Sequence, residues 1–262
     1  MPKVTAITSR DNPLLVRLRK LAAQPDAYRR QGEVWLEGEH LCRAWLELRG
    51  GAGVQVVIGA TAWGIAALRQ LASAAERVAV LPDAVMAGLG ALESPAPLAF
   101  VSPWPGAGSV HADAPSIVLD RLQDAGNVGT ILRSAAAFGF AQVVALKGTA
   151  ALWSPKVLRA GMGAHFALNL VDGAGDEALD AMRVPIFATS SHARALLHEA
   201  LLPWPCAWVM GHEGQGLAEP LLRRCETTLR IAQPGGEESL NVAVAAAVCM
   251  YESTRQRLAS RP

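Results

Sequence analysis

Apolar positions in the first hundred residues recur at the spacings of helices and of buried strands in turn. Over residues 12–23 the leucines at 14, 15, 18 and 21 fall on one helix face, and Pro13 suits the first turn of such a helix. Short apolar runs and helical patterns then alternate, so this part of the sequence predicts a small α/β domain. The predicted strands cover 34–38, 54–59 and 78–81, and the predicted helices cover 39–48 and 62–74.

The alternation of strand and helix patterns is cleaner after residue 115. Helical patterns fill the gaps between five apolar runs, notably at 128–138 and 241–257. Strands separated by helices favour a mostly parallel sheet with helices on both faces, and ligands of such sheets bind beyond the carboxyl ends of the strands. The predicted strands cover 116–122, 142–146, 184–189, 206–210 and 227–231.

A stretch rich in Pro, Gly and Ala separates the two patterns. Its start, PLAFV at 97–101, is apolar enough to form a strand, whereas the rest is typical of a linker. We therefore expect a first domain over 1–102, a linker over 103–115 and a second domain over 116–262.

Hydrophobic residues make up 51% of the 262 positions and charged residues 18%, which is the balance of a globular protein with a substantial core. The net charge is only +1, so a nucleic-acid partner would need a local basic patch. The first thirty residues hold seven basic and two acidic side chains. A solvated helix face is one interpretation and an RNA-contacting face the other. The candidate RNA-binding residues are Arg10, Arg17, Arg19, Lys20, Arg29 and Arg30.

The four cysteines are scattered and show neither a zinc spacing nor a disulfide framework, so we expect no metal site and a reducing, cytoplasmic location. Cys206 and Cys249 lie in apolar runs and are expected to be buried. The N-terminus lacks the apolar stretch of a signal peptide. The longest apolar run, 242–250, is too short to span a bilayer, so no membrane partner is expected.

The sequence lacks the glycine-rich dinucleotide fingerprint, the phosphate loop, H-E-x-x-H and G-x-S-x-G. The candidate chemistry lies instead in three loops that follow strands. The first, 119–140, carries Asn127 and Arg133; alternatively, Asn127 only caps a helix and Arg133 pairs with a carboxylate. The second, 208–217, holds three glycines around His212 and Glu213, more than an ordinary strand-to-helix turn needs.

The third loop, 229–252, joins a strand to an Ala/Val helix through Pro-Gly-Gly. Ser239 or Glu238 could cap that helix, and Asn241 is a polar residue in its first turn. Capping by Ser239 and Asn241 is the alternative, and it explains these residue types but not the long glycine-rich approach that precedes them.

The three loops resemble, in order, the three motifs of the SpoU (TrmH-like) family of RNA 2′-O-ribose methyltransferases, in the SPOUT superfamily. The matching patterns are N-x-G-x-x-x-R-x-A, G-x-E-G-x-G-L and E-S-L-N-V-x-V-A. The segment 154–166 resembles the part of the family between its first two motifs. ITSRDNPLL and WLEGEHL near the N-terminus resemble the family's accessory domain, a ribosomal-protein-like RNA-binding fold.

The resemblance implies an α/β fold whose C-terminal parallel-sheet domain contains a deep trefoil knot, with the first domain binding RNA. It implies S-adenosyl-L-methionine as cofactor, held mainly by backbone groups, and a homodimer whose interface lies beside the active site. By motif position the cofactor-binding residues are Thr189, Gly211, Ile231 and Leu240.

The resemblance also implies the catalytic residues. Arg133 matches the family's catalytic arginine; because guanidinium stays protonated, we expect it to hold the target phosphate and polarise the ribose hydroxyl. Asn127 and Asn241 are expected to shape the site, and Glu213 to orient Arg133. Two positions depart from the family pattern, His212 in place of Asn and Gly161 in place of Ser or Ala. The catalytic set is Asn127, Arg133, Glu213, Ser239 and Asn241.

The expected substrate is structured RNA, with ribosomal RNA favoured because the first domain resembles a ribosomal-protein fold and transfer RNA left open. A base methyltransferase is an alternative, against which the first and third motifs count. A non-catalytic RNA-binding or ribosome-assembly factor of the same fold is another, against which the retained motif residues count.

Overall fold

The computed structural model describes residues 2–90, 95–212, 214–236 and 239–260. The chain forms two compact units. The first comprises Met1–Gly106 and Trp153–Phe166, and the second comprises Ala107–Leu152 and Ala167–Pro262. The division into domains at 103–115 stays a prediction. The segment 153–166 belongs to the first unit, although both of its neighbours in the sequence belong to the second.

The elements of the described ranges are numbered along the chain. The strands are β1 (Lys3–Ala6), β2 (Glu33–Glu37), β3 (Gln55–Gly59), β4 (Arg77–Leu81), β5 (Leu98–Pro103), β6 (Ser116–Leu119), β7 (Gln142–Leu146), β8 (Asn169–Ala174), β9 (Ile186–Thr189), β10 (Ala207–Met210) and β11 (Thr227–Leu229). The α-helices are α1 (Pro13–Ala23), α2 (Ala27–Gln31), α3 (Glu39–Arg49), α4 (Ala60–Gly64), α5 (Ala66–Ala72), α6 (Asp83–Ala87), α7 (Ala125–Ala137), α8 (Pro155–Gly161), α9 (Glu219–Leu222) and α10 (Val242–Ala259).

The first unit is built on a five-stranded sheet in the order β1-β4-β3-β5-β2. Strands β1, β4 and β3 are parallel, and β5 runs antiparallel to both β3 and β2. Helix α1 begins where predicted: the Asn12 side chain accepts a hydrogen bond from the Leu14 N–H, and Pro13 follows. Its predicted apolar face is buried through Leu15, Leu18 and Leu21.

The first unit differs from the sequence prediction in one helix and one missed strand. The helix expected over 62–74 is two short helices, α4 and α5, because the backbone of Ile65 is extended and interrupts the helical hydrogen bonding. Strand β1 was not predicted, because all four of its side chains are exposed and leave no apolar pattern to recognise.

The segment 153–166 packs within the first unit through aromatic contacts. The Phe166 ring meets the Trp45 ring of α3 edge-on, with 5.4 Å between centroids, and Trp153 lies 5.4 Å from the buried His165 ring. A Cβ atom added to Gly161 would lie 2.4 Å from Cε1 of His165. The departure from Ser or Ala at this position therefore has a local cause, because the His165 ring fills the space.

The second unit is built on a six-stranded, all-parallel sheet in the order β11-β9-β10-β6-β7-β8, which confirms the parallel sheet predicted from the sequence. Strand β6 is shorter than predicted and ends at Leu119, because the next residues turn out of the ladder and Arg121 takes a positive φ of 55°. Strand β8 was not predicted. After β6 the chain adds β7 and β8 on one side, whereas β9, β10 and β11 lie on the other side of β6. Ligands of open parallel sheets bind where the strand order changes direction in this way.

Helix α10 returns the chain from the edge of this sheet to its middle. It follows the edge strand β11 yet packs against β10 and α7. The Trp208 indole N–H donates to the Ser253 hydroxyl of α10 over 2.9 Å. Cys206 and Cys249 are fully buried, as predicted. Over the described ranges, no helix combines the length and apolar character needed to cross a membrane.

Residues 107–115, most of the predicted linker, belong to the second unit and are hydrogen-bonded to it. The Asp172 N–H donates to the Ala107 carbonyl over 2.8 Å, and the Asn169 side-chain amide donates to the Ser109 carbonyl over 2.8 Å. Gly108 has φ +71°, and a Cβ there would lie 2.2 Å from the Leu170 carbonyl oxygen. Only glycine allows this close approach to β8.

Candidate active site at the carboxyl ends of the parallel strands

A cavity of about 170 Å³ lies in the second unit, beyond the ends of β9, β10 and β11. The four residues predicted to bind the cofactor all line it: Thr189, Gly211, Ile231 and Leu240. The predicted Ser239 and the divergent His212 line it as well. A neighbouring cavity of about 810 Å³ shares four lining residues with the first: Ser191, Ile231, Gln233 and Ser239.

Apolar and polar side chains line this cavity together with two glycines. Sequence reasoning missed several of them, including Met210, Leu217 and Val242. A Cβ added to Gly211 would lie 2.8 Å from the backbone atoms of Gly216 and Leu217, so the glycine lets two parts of one loop approach closely. A lining that combines apolar and polar side chains suits a flat, partly polar ligand.

A hydrogen bond joins the first and third motifs. The Asn241 side-chain amide donates to Asn127 Oδ1 over 3.0 Å, although the two residues lie 114 positions apart. Asn241 also begins α10, since its Oδ1 accepts from the N–H groups of Ala243 and Val244.

Of the capping alternatives raised by the sequence, those for Asn127 and Ser239 were wrong and the one for Asn241 is confirmed. Helix α7 is capped by Asp124, whose carboxylate accepts from the Asn127 N–H over 2.7 Å, and not by the Asn127 side chain. Helix α10 is capped by Asn241 rather than Ser239. Glu238, the other candidate, lies outside the described residues.

Arg133 lies on α7 with its side chain exposed to solvent. Among the described residues its side chain has neither a hydrogen-bond partner nor an ion-pair partner, so no carboxylate of these residues neutralises it. Glu213, predicted to orient Arg133, lies outside them. An exposed guanidinium on the helix that also carries Asn127 is available to an external anion.

The six candidate RNA-binding residues differ in the exposure of their side chains and in the contacts these make within the first unit. Arg17 is half-buried and forms an ion pair with Glu33; burial first, and then the charge of Arg77, lower the pKa of Arg17. Arg19 is also half-buried and donates to the Arg10 carbonyl over 2.8 Å. The structure leaves four of the six exposed: Arg10, Lys20, Arg29 and Arg30.

A pair of residues at the end of β6 escaped the sequence reasoning. Asp120 is buried, and its carboxylate accepts two hydrogen bonds of 2.9 Å from the guanidinium of Arg121. An adjacent acidic and basic residue directly after a buried strand was the available signal. Among the residues that the structure describes, no group of three or more His, Cys, Asp or Glu side chains could hold a metal ion.

The sequence profile of the SpoU rRNA Methylase family matches residues 114–251 of the chain. The chain belongs to the SpoU family. An uncharacterized tRNA/rRNA methyltransferase of Synechocystis is 33% identical to this SpoU family member in an alignment of 269 positions that covers 98% of the chain and 96% of the relative. The 23S rRNA 2′-O-methyltransferase RlmP of Bacillus subtilis is 35% identical over 138 residues, which cover 52% of this chain and 56% of that enzyme.

Solved structures match this SpoU family member over nearly its whole length. A crystal structure of an RNA 2′-O ribose methyltransferase, 30% identical, superimposes with a TM-score of 0.80 and covers 97% of this chain and 100% of its own. The structure of AviRb from Streptomyces viridochromogenes has a TM-score of 0.84 at 24% identity, covering 95% of this chain and 100% of its own, and supports the fold alone.

Proposed function

We propose that this protein is an RNA 2′-O-methyltransferase that uses S-adenosyl-L-methionine. The observation that carries the proposal is the convergence of the site: four residues chosen from motif position alone line one cavity, and the Asn127–Asn241 hydrogen bond joins two motifs in the same unit. Membership of the SpoU family supports the same activity.

The cavity fits the proposed cofactor. Its apolar side chains, among them Leu217, Leu240 and Val242, suit the face of an adenine ring, and the polar side chains of Thr189 and Gln233 line the same cavity. When bound, the cofactor supplies the methyl group. The role of this chain's residues is to hold the cofactor in the cavity and to bring the ribose oxygen to it.

The catalytic residues act on the RNA ribose. Arg133, exposed and without a side-chain partner among the described residues, binds the phosphate beside the target nucleotide and stabilises the negative charge that develops as the 2′-hydroxyl loses its proton to solvent water. It does not accept that proton, because guanidinium remains protonated. Asn127 and Asn241 fix each other's orientation and shape the ribose site. Glu213 and Ser239 complete the proposed set.

Ribosomal RNA is the favoured substrate. The Bacillus subtilis relative and a relative from Vibrio vulnificus, 33% identical over 58% of this chain, are both 23S rRNA 2′-O-methyltransferases. The first unit is proposed to bind the RNA through its exposed basic side chains, such as Lys20 on α1. Transfer RNA remains the alternative, and a cytoplasmic location without a membrane partner stays a prediction.

The proposal includes a homodimer formed through the outer face of α10 and a trefoil knot in the second unit. Val244 and Tyr251 lie seven residues apart on α10 and are 50% and 56% exposed, while its opposite face is buried. An apolar cavity on this face also includes Thr130 of α7. A helix that is apolar on both faces supports a partner for the outer one. The trefoil knot in the proposal rests on membership of the SpoU family.

Transfer of labelled methyl from S-adenosyl-L-methionine to undermodified total RNA tests the activity. We expect alkali-resistant label, the signature of ribose methylation, in the ribosomal pool; label in transfer RNA would select the alternative substrate. Arg133→Ala should keep its fold and cofactor affinity but lose activity by at least about a hundredfold. Arg183→Ala, which removes only an exposed pair with Asp113, is the matched control. Full activity of Arg133→Ala would refute its assigned role.

Sedimentation equilibrium tests the dimer. The wild-type chain should sediment as a dimer and Tyr251→Arg as a monomer, because the substitution introduces a charge into the apolar face. A dimer that survives this change would place the interface elsewhere.

A further inference from the structure

The loop after β10, residues 211–217, forms one wall of the cavity although much of it is exposed. Gly211, His212, Gly216 and Leu217 line the cavity, whereas Gly214, Gln215 and Gly216 are exposed. Glu213 lies outside the described residues. A glycine-rich loop samples many backbone conformations unless its neighbours hold it, so its shape must be fixed by specific contacts.

His212 holds the loop from within. Its ring Nδ1 accepts hydrogen bonds from the N–H groups of Gly214 over 3.0 Å and Gln215 over 3.3 Å. Its carbonyl oxygen accepts from the Gly216 N–H over 2.8 Å and closes the turn. Since Nδ1 is the acceptor, the ring proton of the neutral side chain lies on Nε2. An asparagine, common here in the family, could offer its Oδ1 to the same two donors.

Arg121 holds the same loop from the neighbouring strand. Its guanidinium donates to the Gln215 side-chain oxygen over 3.1 Å and to the Gly216 carbonyl over 3.3 Å. Two further hydrogen bonds of 2.9 Å join it to the carboxylate of Asp120, whose side chain is only 5% exposed. Four hydrogen bonds therefore link one planar group to the end of β6 and to the loop.

The backbone of Arg121 adopts an energetically unfavourable conformation in this arrangement. Its φ of 55° lies in the left-handed region that residues with a side chain rarely adopt. The side chain runs past Gly148, where an added Cβ would lie 3.1 Å from Arg121 Cγ. Such a conformation persists when surrounding contacts over-determine it, and these conformations are frequent beside functional sites.

We infer that Arg121 and His212 are positioning residues that lock the loop 211–217 from its two sides and thereby set the affinity of the cavity for its cofactor. The inference rests on the proposed function. Neither residue transfers a group or a proton in this role. An unlocked loop would adopt the binding shape only part of the time, and the apparent affinity falls by that fraction. A loop that is correctly shaped one tenth of the time would bind the cofactor about tenfold more weakly.

Isothermal titration of the purified chain with S-adenosyl-L-methionine tests the lock. We expect Arg121→Ala and His212→Ala each to weaken binding about tenfold. His212→Asn should stay within about twofold of wild type, because its side-chain oxygen can accept the same two hydrogen bonds. Gln215→Ala removes one contact of Arg121 with the loop but keeps the buried Asp120 paired. It should weaken binding by about threefold, and it replaces Arg121→Ala in the test if that variant does not fold. Arg183→Ala, on an exposed ion pair, is the matched control.

Steady-state kinetics separates positioning from general damage. With a methyl-accepting RNA, the variants should raise KM for the cofactor and leave kcat at saturating cofactor within about twofold, since the lock is restored once the cavity is filled. The double variant His212→Ala/Gln215→Ala should be non-additive, because both changes release one loop.

The possible results distinguish a failure of the loop lock from a failure of the proposed function. One result would refute the lock and leave the proposed function intact. In it, wild type binds the cofactor, and the affinities of three variants stay within twofold of wild type: Arg121→Ala, Gln215→Ala and His212→Ala. Equal weakening by His212→Asn and His212→Ala also overturns the role of Nδ1. Wild type without cofactor affinity overturns the proposed function and this inference with it.

Discussion

Replacing Asn241 with alanine removes two different contributions at the start of α10. The side-chain oxygen accepts from the Ala243 and Val244 N–H groups, and losing such a cap costs about 1 kcal/mol. The side-chain amide donates to Asn127 over 3.0 Å, and losing that hydrogen bond costs about 1 kcal/mol more. We expect Asn241→Ala to lower the free energy of unfolding by about 2 kcal/mol in total.

Two further variants divide this total. Asn241→Asp keeps an oxygen for the cap but replaces the amide that donates to Asn127, so it should lower the free energy of unfolding by no more than about 1 kcal/mol and still reduce methyl transfer. Asn12→Ala removes only the cap of α1, where the side chain accepts from the Leu14 N–H over 3.0 Å, and should leave the catalytic step unchanged. It is therefore the control for capping alone.

Urea unfolding followed by tryptophan fluorescence and by circular dichroism at 222 nm measures these changes, and methyl transfer is assayed in native buffer. An Asn241→Ala protein with unfolding free energy within about 0.5 kcal/mol of wild type would refute the magnitude. Wild-type activity in Asn241→Asp would refute the link between the Asn127 contact and the reaction.

Three further predictions concern RNA binding, packing and thiol reactivity. Lys20→Glu should weaken RNA binding and reduce its salt dependence by about one counterion, measured by filter binding across a salt series; an unchanged affinity would contradict the basic patch. Gly161→Ala places a Cβ 2.4 Å from the His165 ring and should cost about 1–3 kcal/mol, seen as a lower Tm; an unchanged Tm would contradict the clash. Burial raises the pKa of the Cys225 and Cys206 thiols to about 11, so at pH 8 iodoacetamide should label them more slowly in folded protein than in urea, as mass spectrometry can measure. Because the folded pKa lies above the unfolded value of 9.0, the stability linked to these thiols is present below pH 9 and lost as the pH rises through 11.

The elements that the sequence predicted well are those whose burial is continuous. Strands β7 and β10 are buried along their whole length, so their apolar runs stand out from any neighbour. Helix α1 was equally clear, because its buried leucines recur on one face after a capping asparagine and a proline. Strand β1 was invisible because its side chains are exposed, and its place in the sheet depends on backbone pairing with β4.

For the candidate site too, some features were predictable from the sequence and others only from the tertiary structure. Motif position was enough to select Thr189, Gly211, Ile231 and Leu240, and the structure brings these four to one cavity. It was not enough to identify which side chain caps which helix, because Asp124, Asn127, Ser239 and Asn241 can all accept from a backbone N–H.

The sequence by itself determined the α/β class, the parallel sheet, the order of the three motif loops and the family, because each is written in local patterns of apolar and polar residues. Only the tertiary structure decided that Asn241 bonds to Asn127, that Arg121 reaches the loop after β10, and that residues 153–166 complete the first unit. These contacts join positions far apart in the chain. Their geometry depends on where whole strands and helices pack, which no local pattern of residues contains.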